Sequence, residues 1–337
     1  MITIYDIAKK VGCSSATVSK ALNNYPDVNP KTKEKIIKTA KEMGYIPNSQ
    51  AQFLTKKKTW NIGVLFEVET DKGITHYFFA EILQSFKEYA EAAGYDLTFV
   101  SRKIGKDKLS FLEYVRRRRC DGVIITSFDY KNKQILELIN SSIPVVVIDY
   151  NYSNVSGVFS KNYRGMELLT QYLIDLGHRE IVYIHGTIND YVTGARVKGF
   201  KDTLRKNNII LNNNNLVEGM YYDRKTTQDK VFEILKRDHI PTAIIFSDDY
   251  AAVGGIKVIK ELGYKIPKDI SVAGFDGIEL GEMVYPRLTT IKQNTKLIGK
   301  SAAKRLIEII ETKDFTKKDI YVDVELIKGK SCAKIIK

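Results

Sequence analysis

Hydrophobic residues in the first 45 positions of the chain recur at intervals of three and four, the spacing that places side chains on one face of a helix. Those of the first two runs are Ile4, Ile7, Ala8, Val11, Val18, Ala21 and Leu22. Thr3 and Asp6 have the spacing of a capping box at the start of the first run. Gly12 ends that run, and Ser14 is an N-cap candidate for the second. Because only about three residues separate the two predicted helices, the pattern is typical of a helix-turn-helix.

A third run with the same period predicts a helix that completes a small N-terminal module. Asn29 is its N-cap candidate, Pro30 occupies the first helical position, and Gly44 is the stop signal at the other end. The apolar stripe of this helix consists of Ile36, Ile37 and Ala40. Three short helices with such stripes can bury one small core.

From Asn61 onward the pattern changes to short β-rich apolar runs that alternate with amphipathic stretches. The apolar runs include NIGVLF, DLTFV, DGVIIT, IPVVVIDY, IVYIHG, TAIIFS and SVAGF. Continuous apolar strands between helices predict the α/β class with parallel sheets covered on both faces, and ligands of such sheets bind beyond the carboxyl ends of the strands. The predicted strands are too many for one compact unit of this kind, so we expect two lobes in tandem.

Length and composition place the chain in a broad class. Its 337 residues, 44% of them hydrophobic, predict a globular protein of two domains or one large one. No apolar run approaches the roughly 20 residues needed to cross a bilayer, and the N-terminus MITIYDIAKK lacks the sections of a secretory signal, so we expect a cytoplasmic protein. Cys13, Cys120 and Cys332 are too widely separated to predict a disulfide framework or a thiol metal site. The histidines lack metal-ligand spacing and no catalytic constellation appears, so we predict no enzymatic activity, no metal and no cofactor.

The net charge of +13 is concentrated at the N-terminus, where residues 1–58 contain 11 Lys and Arg against 4 Asp and Glu. Basic groups near phosphates displace condensed counterions, so this concentration is typical of a nucleic-acid contact. A solvated basic surface is the alternative, and the helix-turn-helix geometry favours the nucleic-acid interpretation. On the second helix the apolar face leaves four side chains facing outward as candidate readers of bases and phosphates. They are Ser15, Ala16, Ser19 and Lys20.

The segments TIYDIAKKVGCSSATVSKALNN, VNPKTKEKIIKTAKEMGYIPN and SQAQFLTKKKTWNIGV resemble, in order, the headpiece and hinge of the LacI/GalR family of bacterial transcription regulators. In that family the segment equivalent to PNSQAQFLTKK forms a hinge helix on operator DNA, and a leucine matching Leu54 wedges into the minor groove. An apolar wedge can unstack a base step and bend the duplex. Without the resemblance, Leu54 would be interpreted as a packing residue.

The resemblance also implies base reading by Ser15, Ala16 and Lys20. Ser15 and Ala16 are short and can make few hydrogen bonds to base edges, so we expect Lys20 to contribute more, and the operator sequence stays open. The predicted DNA-binding residues are Thr3, Ser14, Ser15, Ala16, Thr17, Ser19, Lys20, Asn23, Asn48, Ala51 and Leu54.

The remainder of the chain resembles the effector-binding core of the same family, which is similar to periplasmic sugar-binding proteins. The most specific stretches are IPTAIIFSDDYAAVGGIKVIKELGYKIPKDISVAGFDG and YPRLTTIKQ. The resemblance implies two lobes joined by three crossovers, with a ligand cleft between them. The predicted boundaries are a headpiece at 1–46, a hinge helix and linker at 47–59 and a core at 60–337, with lobe 1 at about 60–160 and 290–318 and lobe 2 at about 161–289 and 319–337.

Charged side chains at or just after strand ends are the candidate ligand groups of the core: Asp149, Arg196, Asp248 and Asp276. Carboxylates accept hydrogen bonds from vicinal hydroxyls and a guanidinium donates in a rigid fork, which together suit a polyhydroxylated ring. The family resemblance points to the same positions, although Asp248 stands where family members often have Asn. For Asp149 and Asp248, capping of a following helix is the competing role.

Aromatic side chains offer a platform for a sugar face. The candidates are Phe78, Phe79 and Tyr221, with Tyr222 as the alternative to its neighbour. Aromatic residues at such spacing also occur as ordinary core residues, and that interpretation stays open for each of them.

The sequence as a whole predicts a DNA-binding transcription regulator, a repressor, in which a sugar-like effector bound between two lobes controls binding to a palindromic operator. Two half-sites require two headpieces, so we predict a homodimer, and no leucine heptad of the kind that forms tetramers follows ELIKGKSCAKIIK. A family member controlled by a purine or a protein corepressor is the alternative. A transport-type sugar-binding protein is a weaker one, since it would need a secretion signal and has no use for the headpiece.

Overall fold

The computed structural model describes residues 2–45, 58–67, 73–127, 131–187 and 191–335. The chain divides into two compact units, Met1–Trp60 and Asn61–Lys337. Three of the predicted DNA-binding residues, Asn48, Ala51 and Leu54, lie outside the described residues, as does most of the predicted hinge.

The first unit contains the three predicted helices, α1 (Ile4–Val11), α2 (Ser15–Leu22) and α3 (Pro30–Glu42). Both halves of the predicted capping box are present, since the Thr3 hydroxyl accepts from the backbone N–H of Asp6 and the Asp6 carboxylate accepts from that of Thr3. Gly12 has a φ of +80°, a left-handed conformation that ends α1 without the steric cost a Cβ would add. The predicted caps at Ser14 and Asn29 are confirmed.

Residues from all three helices form one small core in this unit. Its fully or largely buried members are Ile7, Ala8, Val18, Ala21, Val28, Ile36 and Ala40. Ile37, predicted for the same stripe, is exposed instead, because the next position on α3 turns it away from α1 and α2.

The second unit contains two six-stranded sheets. The first sheet has the order β13-β7-β6-β5-β1-β2, and all its described pairs are parallel. Its strands are β1 (Asn61–Glu67), β2 (Asp96–Phe99), β5 (Gly122–Ser127), β6 (Val145–Ile148), β7 (Ser156–Ser160) and β13 (Ile320–Val322). Between β2 and β5 the short strands β3 (Lys103–Ile104) and β4 (Asp107–Lys108) pair with each other.

The second sheet has the order β14-β12-β11-β10-β8-β9 and is parallel except for the pair of β12 and β14. Its strands are β8 (Ile181–His185), β9 (Leu216–Glu218), β10 (Ala243–Ile245), β11 (Ser271–Asp276), β12 (Thr289–Gln293) and β14 (Val324–Ile327). Every residue of β6, β8, β10 and β11 is buried, as expected for strands with helices on both faces.

Amphipathic helices connect the strands and cover the sheets. They are α4 (Tyr77–Ala92), α5 (Phe111–Arg117), α6 (Lys133–Ile139), α7 (Asn162–Asp175), α8 (Tyr191–Lys206), α9 (Arg224–Leu235), α10 (Asp249–Glu261), α11 (Glu279–Met283) and α12 (Thr295–Thr312), with 3₁₀ turns at Gly73–Thr75 and Asn213–Asn215. The α/β class with an N-terminal three-helix module is therefore confirmed.

The chain passes between the two sheets three times, at Lys161, Asn294 and Asp323. The strand pairing corrects two of the predicted lobe limits. Strand β12 (289–293) belongs to the second sheet and β13 (320–322) to the first, whereas the predicted limits had placed 290–318 in lobe 1 and 319–337 in lobe 2. The reason is that long-range pairing decides which sheet each strand joins, β13 at the edge of the first sheet and β12 between β11 and β14, and such pairing leaves no mark in the local sequence.

Candidate functional site

The surface of α2 carries the predicted base readers. Ala16 and Lys20 are exposed, and Ser15 and Ser19 are half-buried. Ser14 and Thr17 are occupied at the start of the helix, because the Ser14 hydroxyl accepts from the Thr17 backbone N–H at 3.1 Å and pairs with the Thr17 hydroxyl at 2.9 Å. Ser14 therefore caps α2, and Thr17 supplies the groups that it binds.

Lys20 forms an ion pair with Asp27, a residue that sequence reasoning did not select. The hydrogen bond to Asp27 raises the pKa of Lys20, and the same bond lowers the pKa of Asp27. At the end of α2, the Asn23 side-chain amide donates to the Ser19 carbonyl at 2.9 Å. Asp27 therefore shares the surface from which Lys20 would contact DNA.

In the second unit, Asp276 ends strand β11 with a buried carboxylate and a φ of +111°. Its Oδ1 accepts from the Gln293 amide at 2.7 Å, and its Oδ2 accepts from the Tyr222 hydroxyl at 2.9 Å. Gln293 ends the adjacent strand β12, so the pair follows from the parallel register of β11 and β12.

Arg196 reaches the same place from helix α8 and is only 3% exposed. Its Nε donates to the Asn162 side-chain oxygen at 2.8 Å, and its Nη1 donates to the Ser247 carbonyl at 2.9 Å. Its Nη2 lies 3.8 Å from Oδ1 of Asp276, and the guanidinium carbon lies 3.6 Å from the centre of the Phe275 ring. The guanidinium is thus held by fixed partners beside the Asp276 carboxylate.

Asp248 is fully buried and both of its carboxylate oxygens accept backbone hydrogen bonds. Oδ1 accepts from the N–H of Ala251 at 2.8 Å, which caps helix α10, and Oδ2 accepts from the N–H of Tyr222 at 2.9 Å. The capping role that competed with ligand binding in the sequence is therefore present in the fold.

Asp149 follows strand β6 with a φ of +56° and is buried. The next element is strand β7, so Asp149 does not cap a helix. Its negative charge is among those that raise the pKa of Arg196, which places it within electrostatic reach of the guanidinium. Asp149, Arg196 and Asp276 therefore act in one electrostatic environment.

Three buried carboxyl groups, those of Asp248, Asp249 and Asp276, lie in this part of the core, and all three have raised pKa values. Burial raises the pKa of Asp276 to about 7, although the nearby Arg196 opposes the shift, and the charge of Asp248 adds to it. Burial likewise raises the pKa of Asp248 and, more strongly, of its neighbour Asp249. Asp249 was not selected from the sequence; its carboxylate accepts from the Thr290 hydroxyl at 2.5 Å and from the Ile278 N–H at 2.9 Å.

The predicted aromatic candidates differ in where they lie. Phe78 and Phe79 are buried in the hydrophobic cluster between α4 and the first sheet, with the Phe79 ring edge-on to Phe66 at 5.9 Å. The Tyr221 ring covers the backbone of Gly186, and its hydroxyl pairs with that of Thr193 at 2.9 Å.

Tyr222, the alternative to Tyr221, lies at the centre of the site. Its ring packs against His76 and Tyr250 and its hydroxyl binds Asp276. No local signal points to His76, which directly precedes α4. Gln293 ends β12, which was not among the predicted strands, and its place in the family-like stretch YPRLTTIKQ is the signal that could have found it.

The site therefore brings together Arg196, Asp248 and Asp276 with Tyr221, and Asp149 lies within electrostatic reach. Among the described residues, no group of three or more His, Cys, Asp or Glu is arranged to hold a metal ion. The described part of the chain also has no helix that is both long and apolar enough to span a bilayer.

Two family models match the chain. Residues 3–48 match "Bacterial regulatory proteins, lacI family", and residues 59–330 match "Periplasmic binding proteins and sugar binding domain of LacI family". One model matches most of the first compact unit and the other most of the second.

Curated relatives and solved structures are similar over nearly the whole chain. The HTH-type transcriptional repressor PurR of Vibrio vulnificus is 31% identical over 99% of this chain and all of its own length. Catabolite control protein A of Priestia megaterium is 32% identical over 91% of both chains. The crystal structure of the lac repressor dimer bound to operator and the anti-inducer ONPF superimposes with a TM-score of 0.83 at 26% identity, covering 98% of this chain and 99% of that one.

These relatives are transcriptional regulators, not enzymes. The helix-turn-helix of the first unit and the two-sheet core of the second have the arrangement of such a regulator, with a DNA-binding module and a ligand-binding domain. The chain belongs to the LacI family of bacterial regulatory proteins, as a DNA-binding transcriptional regulator.

Proposed function

We propose that the chain is a cytoplasmic repressor that binds a palindromic operator as a homodimer and is controlled by a small, neutral, polyhydroxylated effector such as a sugar. The effector binds beside Asp276, Arg196 and Asp149, beyond the carboxyl ends of the strands. Binding shifts the equilibrium between lobe arrangements and so alters the affinity for the operator. We expect the effector to release DNA.

One observation carries the proposal: the buried carboxylate of Asp276 is held between Gln293, Tyr222 and Arg196 at the ends of parallel strands. A buried carboxylate accepts hydrogen bonds strongly, and a ring with adjacent hydroxyls supplies the donors. The Arg196 guanidinium, fixed by Asn162 and the Ser247 carbonyl, supplies a donor for a ring oxygen.

The charge balance argues against an anionic effector. Asp248, Asp249 and Asp276 are all buried, and the Arg196 cation acts on Asp248 and Asp276. A phosphate or carboxylate on the ligand would bring a charge into a desolvated site where burial already disfavours the ionised forms of the carboxyl groups. A neutral sugar is therefore favoured over a sugar phosphate or sugar acid.

A purine is the second candidate. The rings of His76, Tyr222 and Tyr250 lie against one another and could stack on a planar base, and a relative named PurR is 31% identical to this chain. Carboxylate acceptors also suit the N–H edges of a base. Control by a protein corepressor stays a third, less specific alternative.

The DNA-binding half of the proposal uses the exposed face of α2. Lys20 and Ala16 are the exposed base readers, with Ser15 and Ser19 beside them and Thr3 and Asn23 at the flanks. Asn48, Ala51 and Leu54 are proposed to complete the contact in the minor groove. The similar lac repressor structure is a dimer bound to operator, which supports a dimer here.

A ligand screen tests the effector class. Thermal unfolding of the full chain is measured with neutral sugars, sugar phosphates and purine bases, in the wild type, Asp276→Asn and Asp229→Asn. Asp229 is exposed on α9, so its substitution makes the same charge change away from the site. We expect neutral sugars to raise the midpoint in the wild type and Asp229→Asn but not in Asp276→Asn. Stabilisation by purines alone would replace the sugar proposal with the purine one.

Operator selection tests the DNA half. Duplexes are selected from a random pool with the full chain, and binding of the best sequence is followed by fluorescence anisotropy. We expect a palindrome, and a loss of discrimination between operator and random DNA in Lys20→Ala. Adding the screened effector should weaken binding, whereas tighter binding would make the effector a corepressor.

A further inference from the structure

Tyr222 lies inside the proposed effector site and binds its central carboxylate. Its side chain is 7% exposed, and its hydroxyl donates to Oδ2 of Asp276 at 2.9 Å. That carboxylate is the group proposed to accept from a hydroxyl of the effector. Tyr222 therefore already supplies the hydroxyl that an effector would bring.

The ring of Tyr222 contacts residues of both lobes. Its centre lies 3.5 Å from that of His76, which precedes the first helix of lobe 1. The Tyr222 ring also stacks on the ring of Tyr250 in lobe 2, with the ring centres 5.7 Å apart and an angle of 13° between the planes. The six-membered ring of Tyr222 thus lies against two aromatic rings, and the ring of a sugar or a base would need the same kind of contact.

The backbone holds Tyr222 in this position. Its φ of +54° is a left-handed conformation that a tyrosine adopts only at a cost in free energy, so its surroundings must fix it. The bond from its N–H to Oδ2 of Asp248 does so, while Oδ1 of Asp248 accepts from Ala251. An asparagine has one acceptor oxygen and would place its amide hydrogens against one of these N–H donors.

We propose that Tyr222 is a built-in occupant of the effector site, positioned by Asp248, and that an effector binds by displacing the Tyr222 hydroxyl from Asp276. The inference rests on the proposed function only in naming this site as the effector site. It narrows the ligand class to molecules that carry a hydrogen-bond donor at one end of a ring about the size of a phenol. The displaced tyrosine also breaks a contact between the lobes, which links ligand binding to their arrangement.

A chemical rescue tests the occupancy without any knowledge of the effector. Tyr222→Ala removes a phenol, and 4-methylphenol restores the same ring and hydroxyl, whereas toluene restores only the ring. We expect 4-methylphenol to raise the unfolding midpoint of Tyr222→Ala by about 2 °C or more and toluene to raise it less, with neither raising that of the wild type. Equal stabilisation of wild type and variant by 4-methylphenol would overturn the occupancy.

Tyr222→Phe keeps the ring and removes only the competing hydroxyl, so it covers the case in which the alanine variant fails to fold. With a sugar or purine that the ligand screen identifies, we expect binding to Tyr222→Phe about tenfold tighter than to the wild type, because the ligand no longer competes for Asp276. The matched control is Tyr95→Phe, which removes a hydroxyl that donates to the Glu311 carboxylate at 2.7 Å, outside the site, and it should leave the affinity within about twofold. Weaker binding to Tyr222→Phe would show that Tyr222 holds the ligand and would overturn the proposal.

Asp248→Asn tests the positioning role. We expect it to tighten ligand binding in the wild-type background but to add nothing in Tyr222→Phe, where the hydroxyl is already absent. Additive effects of the two substitutions would contradict the link between them. If no screened compound binds, the proposed effector class is wrong. The result with 4-methylphenol still decides whether the Tyr222 side chain occupies the effector site.

Discussion

Single residues set the chemistry of the core through the balance of buried charge. Asp248 and Asp276 lie within electrostatic reach of Arg196, Asp249 adjoins them, and each carboxyl group accepts from donors on different elements. Burial disfavours their ionised forms more than the single guanidinium can restore. The site is therefore sensitive to pH near neutrality.

The first prediction concerns Asp276 and pH. Folding raises its pKa from the ordinary 3.8 to about 7, so between these values the folded chain holds a proton that the unfolded chain releases. The free energy of unfolding must then fall as pH rises through this window. We expect the wild type to lose on the order of 3 kcal/mol more than Asp276→Asn between pH 4.5 and pH 7.5, on the scale of about 1.4 kcal/mol for each pKa unit. Urea unfolding followed by circular dichroism measures it, and identical pH slopes would contradict it.

The second prediction concerns Asp27. Asp27 forms an ion pair with Lys20 on the exposed face of α2, and its carboxylate also repels DNA phosphates. In Asp27→Asn, Lys20 can contact a phosphate, so we expect tighter binding to random-sequence duplex DNA and a salt slope steeper by about one. Glu34→Gln makes the same charge change on the exposed side of α3 and is the control. Equal effects of the two substitutions, measured by anisotropy over a salt series, would refute a specific role for Asp27.

Elements pack closely in the second unit where small residues let helices approach. Helix α8 lies against α7, and a Cβ added at Gly199 of α8 would lie 2.5 Å from the carbonyl oxygen of Tyr163. At Gly194 of the same helix, no heavy atom of the described residues would lie within 4 Å of an added Cβ. Close packing of the two helices therefore requires a glycine at position 199 but not at position 194.

The third prediction compares these two positions. Gly199→Ala forces α7 and α8 apart against a backbone atom that cannot rotate away, so we expect a loss of about 1–3 kcal/mol in the free energy of unfolding. Gly194→Ala relieves the entropic cost of a glycine in a helix and should gain up to about 1 kcal/mol. Chemical denaturation of both variants gives the comparison. A loss at Gly194 equal to that at Gly199 would show that helix contact is not the cause.

The whole molecule joins one small DNA-binding unit to a core of two sheets through which the chain crosses three times. Such crossovers allow two lobes to change their mutual arrangement while each sheet stays intact. A single headpiece reads one half-site, so the regulator needs a second copy to recognise a palindrome.

The fourth prediction concerns that second copy. We expect sedimentation equilibrium of the full chain to show a dimer, with operator binding by the dimer and not by a monomer. A tetramer that persists on dilution would contradict the prediction. Dilution that abolishes operator binding together with the dimer would support it.

Local sequence by itself determined much of this protein. The three headpiece helices and their caps at Thr3, Ser14 and Asn29 follow from periodicity and side-chain chemistry within a few residues, and the structure confirms them. The alternation of buried strands and amphipathic helices fixed the α/β class in the same way. These features are encoded locally because a cap or an apolar face involves only neighbours in the chain.

Only the tertiary structure decided which groups meet. Strands β13 and β14 are separated by Asp323 alone yet join different sheets, because each pairs with a strand far away in sequence. His76, Tyr222 and Asp276 likewise come from three distant segments and form one site. The order of residues cannot show such contacts, since they arise from the packing of whole lobes. Asp248 was visible in the sequence as a carboxylate, but its two hydrogen bonds, which fix its role, depend on where Tyr222 lies.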